Sequence, residues 1–86
     1  MHAPTATTPE PLRAAMLAHN AAIEACRAAD ACVLAEVGRL RADGLTEEQI
    51  QAIADADALA GGPIWGAFSA ACSVETAAAH AVTRAS

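Results

Sequence analysis

"RADGLTEEQI", residues 41 to 50, decides how this chain is read. Gly44 follows a long stretch of helix-forming residues and supplies the left-handed residue that ends a helix. Thr46 then stands where an N-cap is needed, and Gln49 three residues later completes a capping box. Leu45 and Ile50 flank the cap as a hydrophobic staple. A stop and a start lie within a few residues of each other, so the chain turns back on itself here.

Upstream of that turn, no proline occurs after Pro11 and the only glycine is Gly38. Thr8 is expected to cap the helix with Pro9 at its first position, leaving residues 1–8 as a disordered tail. Leu12, Met16, His19, Ile23, Cys26, Asp30, Val33, Val37 and Leu40 alternate in steps of four and three. This is a heptad seam, and it is expected to join two copies of the chain. Ala14, Ala21, Ala28, Ala35 and Ala42 fill a neighbouring line, where small side chains admit a second close helix.

Downstream, the second helix is expected to run from residue 46 to 60, with Ile50, Ile53, Asp57 and Ala60 facing inward. Gly61 and Gly62 end it, and Pro63 opens a third helix to about residue 83. Ile64, Phe68, Ala71, Glu75, Ala78 and Val82 form one stripe of that helix. The sequence therefore predicts a single all-α domain over residues 9–86, with one long and two shorter helices. It is either a hairpin whose returning arm is broken at Gly-Gly-Pro or a three-helix bundle, dimerising into a larger bundle. A turn centred near Gly44 places residue k opposite roughly 88 minus k, which sets Arg13 near Glu75 and Asp30 near Asp57.

Composition narrows the function. The net charge is −5, with five arginines and no lysine, against the clustered cations that phosphate contacts require. Arg13, Arg27 and Arg41 recur along one helix line and read as a salt-bridging edge. The segment after Pro63 has no Arg, Lys, Asn or Gln to touch a base edge, so no nucleic-acid partner is expected. The longest uncharged stretch, Ala58 to Val74, is 17 residues long, short of the roughly 20 that span a bilayer.

Cys26, Cys32 and Cys72 form no C-x-x-C pair and leave an odd thiol, so a disulfide framework is not expected and a reducing cytoplasm fits. No nucleophile stands beside a base, and "AGGP" lacks the strand and lysine of a phosphate loop. The pairs His19/Glu24 and Glu75/His80 are five apart and diverge around a helix, unlike the Glu-x-x-His of metal bundles. No enzyme activity and no cofactor or metal are expected. A ligand bundle using Asp30, Asp57 and His19 is the minor alternative.

Both aromatic residues, Trp65 and Phe68, lie in "GGPIWGAFSAAC" (61–72). One short helix cannot easily bury Ile64, Trp65 and Phe68 in all directions, and Trp is enriched at interface hot spots. These three, with Leu59, are the expected contact for a protein partner. The reading is a non-enzymatic interaction module, an adaptor, inhibitor or regulatory subunit acting as a homodimer.

"TTPEPLRAA" (7–15), followed by "GLTEEQI", resembles the PE family of secreted helical hairpins in its first half, through Pro9, Glu10 and the turn at Gly44. That resemblance implies a small hairpin exported with a helical partner. The chain departs from the pattern in having no tyrosine and in the Gly-Gly-Pro break where that family's second helix continues.

Overall fold

The computed structural model describes residues 9–86; the expected tail and the Thr8 cap lie outside them. Three helices follow in order: α1 (Glu10–Ala42), α2 (Glu47–Ala60) and α3 (Trp65–Ala85). α1 has 33 residues and is thus about 50 Å long. It packs chiefly against α3; α3 also packs on α2, and α1 meets α2 least. His19 meets Glu75 and Cys26 meets Cys72, so α3 runs antiparallel to α1. The result is a three-helix bundle.

The first turn forms as its residues dictate. Gly44 lies at φ +92°, and the Leu45 and Gly44 amides donate to the carbonyls of Leu40 and Arg41, satisfying the exposed carbonyls at the end of α1. Thr46 Oγ1 accepts from the Gln49 amide at 3.2 Å, while Gln49 Oε1 accepts from the Thr46 amide at 2.9 Å. Leu45 is half-buried and Ile50 is buried.

The second turn is built by Asp57. Its backbone carbonyl accepts from the Gly62 amide at 2.7 Å, and Gly61 takes φ +69°, closing α2. Its side-chain Oδ2 accepts from the amides of Ile64, Trp65 and Gly66 at 3.2, 2.7 and 3.1 Å. One carboxylate therefore caps the start of α3, where amides lack intrahelical partners and the helix dipole is positive. Pro63 lies in the turn and α3 begins at Trp65, two residues later than the expected proline start, because the cap is supplied from outside the segment. Gly66 is buried, and a Cβ there would lie 2.8 Å from the Gly61 Cα.

This turn overturns the register expected from the sequence. Residues 61–64 fold into the turn and do not advance along α1. Cys26, which the simple hairpin sets opposite Gly62, meets Cys72. Arg13 pairs with Glu10 and Glu75 with His19, so the expected Arg13–Glu75 bridge is not formed. Asp30 is exposed, and the Asp57 carboxylate is occupied by the amides of α3 in place of a second carboxylate.

The heptad reading of α1 is also displaced. Its covered line is Leu12, Ala15, His19, Ala22, Cys26, Ala29, Val33, Glu36 and Leu40, each buried or half-buried. Four of these stand one position before the expected Met16, Ile23, Asp30 and Val37. Met16 and Asp30 are exposed, and Ile23 and Val37 are half-buried on the flank. The alanines let α3 approach closely, and the seam expected to join two copies is largely covered within one chain. On α2, Ile50 and Ala54 are buried while Ile53 and Ala60 are exposed. The six expected stripe residues of α3 are all half-buried.

Two glycine substitutions separate these constraints. Gly66→Ala forces a Cβ into the Gly61 backbone and is expected to destabilise the fold by about 2 kcal/mol or more. Gly38→Ala meets nothing within 4 Å and gains helix propensity, stabilising by about 1 kcal/mol. Urea denaturation of the two variants measures both.

Candidate functional site

Of the four residues expected to contact a partner, Ile64 and Trp65 are held at the Asp57 corner, Phe68 follows one turn later on α3, and Leu59 lies in the last turn of α2. Leu59, in the last turn of α2, is 92% exposed. Ile64, Trp65 and Phe68 are half-buried at the start of α3, with the Ile64 and Trp65 backbones held by the Asp57 carboxylate. The corner is therefore a fixed scaffold carrying one fully presented aliphatic side chain and three partly covered apolar ones. It holds no nucleophile beside a base.

A second surface extends a line that the sequence reading already singled out. Ala14, Ala18, Ala21, Ala25, Ala28, Cys32 and Ala35 follow steps of four and three along α1, on a line centred roughly 100° round the helix from the covered one, and all are exposed. Leu17 and Leu34, further round the helix, are each 64% exposed. The expected line Ala14, Ala21, Ala28, Ala35 and Ala42 belongs to this outer face. Ala18, Ala25 and Cys32 widen that line into a small-residue heptad of its own.

Between α1 and α3 lie two polar pairs. His19 Nε2 and Glu75 Oε2 are 2.8 Å apart, both half-buried. They come one from each of the His/Glu pairs that diverge along their own helices. Toward the centre, the Sγ atoms of Cys26 and Cys72 are 3.5 Å apart, also half-buried. The Cys26 thiol is pushed above the ordinary thiol range by its hydrogen bond with Cys72, then by burial and by the neighbouring acidic groups, Glu75 and Asp30 among them. Cys32 is exposed on the outer face.

The arginine line is an ion-paired edge. Arg13 meets Glu10, Arg27 meets Glu24 and Arg41 meets Glu47. Arg39 forks onto Glu36 at 2.9 and 2.7 Å. Hydrogen bonding to these guanidinium groups holds the carboxyls of Glu36 and Glu47 below the usual range. Carboxyls depressed in the folded state contribute stability above their unfolded pKa and lose it as pH falls through the folded value, so this contribution disappears on acidification. Such exposed pairs are individually weak.

Among the described residues, no group of three or more His, Cys, Asp or Glu side chains could hold a metal ion. Asp30, Asp57 and His19 accordingly do not come together as a group of metal ligands. Also among the described residues, no helix is long and apolar enough to cross a membrane.

The His19–Glu75 contact carries a measurable coupling. A double-mutant cycle with His19→Ala and Glu75→Ala is expected to give about 1 kcal/mol of interaction free energy near neutral pH. Additive single-variant effects in urea denaturation would mean the two side chains do not meet in solution.

Comparison of the chain with protein-family models, curated proteins and solved structures gives no match.

Proposed function

We propose that this chain is a non-enzymatic protein–protein interaction module, an adaptor, inhibitor or regulatory subunit that works as a homo-oligomer. The observation that carries the reading is the imbalance between what one copy covers and what it leaves exposed. Among the described residues, the buried apolar side chains are Ala22, Leu40, Ile50 and Ala54, and no large side chain is fully buried. Met16, Leu17, Leu34, Ile53, Leu59 and Val74 are exposed. Covering a large aliphatic side chain contributes roughly 1.5–3 kcal/mol, so a second surface laid over several of them stabilises the assembly substantially.

Two surfaces divide the work. The exposed side of α1, with its small-residue line and with Leu17 and Leu34 further round the helix, suits a second copy of the same helix. The corner formed by Leu59, Ile64, Trp65 and Phe68 suits a partner protein, because Asp57 fixes its backbone before docking and little ordering entropy remains to be lost. An odd number of cysteines and the paired thiols of Cys26 and Cys72 fit a reducing, cytoplasmic setting.

Sedimentation velocity across a dilution series tests the self-association. A reversible dimer is expected, with Leu17→Asp/Leu34→Asp weakening it by more than about tenfold, or 1.4 kcal/mol. A monomer at every concentration would contradict the homo-oligomer. At the other surface, Leu59→Ser is expected to change folding stability by less than about 0.5 kcal/mol, because Leu59 is nearly fully exposed. A larger loss in urea denaturation would make Leu59 a packing residue and remove it from the docking corner.

A further inference from the structure

The most specific unassigned arrangement in the molecule is the thiol pair between α1 and α3. Three facts define it. The two sulfurs come from helices far apart in sequence, their residues 46 positions apart, and face each other at 3.5 Å. Both cysteines are half-buried, so a small oxidant reaches them while bulk solvent does not surround them. The third cysteine, Cys32, is exposed and lies outside the covered line of α1.

We propose that Cys26 and Cys72 are an oxidisable dithiol, a modification site that a hydroperoxide converts into a disulfide joining α1 to α3. The chemistry balances with hydrogen peroxide as the two-electron oxidant. The thiolate of one cysteine attacks a peroxide oxygen, the O–O bond breaks, and a sulfenic acid and one water result. The second sulfur attacks the sulfenic sulfur, the S–S bond forms as the S–OH bond breaks, and a second water leaves. The two thiol protons end in water, and a dithiol reductant reverses the change. Closing the pair requires the sulfurs to approach by about 1.5 Å, within reach of side-chain rotation and a small helix shift.

The consequence follows from where the bond falls. It links the long helix to the returning one and closes the intervening loop, which holds both turns and all of α2. Loop closure removes freedom from the unfolded chain, more for a long loop than for a short one. A bundle with a thin core is therefore locked by oxidation and released by reduction. The outer face of α1 and the Leu59 corner are not consumed by the bond, so the staple is independent of self-association.

The test uses the full chain carrying Cys32→Ala, which removes the exposed thiol and keeps the paired ones. After treatment with hydrogen peroxide, peptide mapping is expected to show Cys26 joined to Cys72 within a single chain, with loss of two hydrogens from the intact mass. The Tm of the oxidised monomer is expected to rise by about 10 °C or more and to return on reduction with dithiothreitol. A Cys26→Ser/Cys32→Ala chain, whose thermal transition in the absence of oxidant verifies that it folds, is expected to show no rise. The proposal is overturned if the paired thiols remain alkylatable, if they stop at sulfinic or sulfonic acid, if the disulfide joins two copies, or if the cross-linked chain melts no higher than the reduced one.

Discussion

The Asp57 carboxylate is the interaction on which the rest of the molecule depends. A helix normally begins with amides that lack partners, and the cap usually comes from the residue just before it. Here the residue before α3 is Ile64, which has no side-chain oxygen to offer, and Asp57 reaches across from the end of α2. Its backbone carbonyl closes one helix while its side chain opens the next. The two ends are thereby held in one compact corner. Gly62 and Gly66 follow from this geometry, since a Cβ on the first would strike the Asp57 side chain and one on the second the Gly61 backbone. From that corner α3 is directed back along α1, and the meetings of His19 with Glu75 and Cys26 with Cys72 are set by it.

Packing along α1 follows a different economy of size. Ala15, Ala22 and Ala29 line the contact with the returning helix, and small side chains allow close approach while hiding little apolar area. Two consequences come together. The bundle holds its shape through close backbones, capped turns and two polar pairs more than through a thick core. The larger aliphatic residues Leu17, Leu34 and Leu59 are left outside. A thin interior and an apolar exterior have the same origin, and both point toward a molecule completed by other copies or partners.

What was legible in the sequence was what is local. The Gly44 turn, the Thr46–Gln49 capping box and the end of α2 at Gly61 are each set by residues within one or two helical turns, and each appears where the pattern places it. The α3 stripe was legible for the same reason. The Asp57 cap was not, because an aspartate on the inner face of an apolar-periodic helix reads as a polar residue at a seam. Its partners lie seven to nine positions ahead, across a turn whose path is set by the cap itself. The α1 seam was misplaced by one position at Met16, Ile23, Asp30 and Val37, since hydropathy weighs a valine or methionine above the alanine beside it. Register failed for a third reason: residues 61–64 are consumed in the corner, and counting them as helix shifts every cross-helix pairing. The Cys26–Cys72 pair was invisible until that register was known.

Hydrogen exchange at the start of α3 tests the central constraint most directly. The amides of Ile64, Trp65 and Gly66 should be protected nearly as well as those in the middle of α3, although a first helical turn ordinarily exchanges fast. The first turn of α1 serves as the internal reference, because Pro9 provides no side-chain cap there. Slow exchange at all three amides, lost in Asp57→Ala, is the result this account requires. Exchange as fast as at the start of α1 would mean the Asp57 corner is not formed in solution, and the pairings between α1 and α3 that depend on it would have to be reassigned.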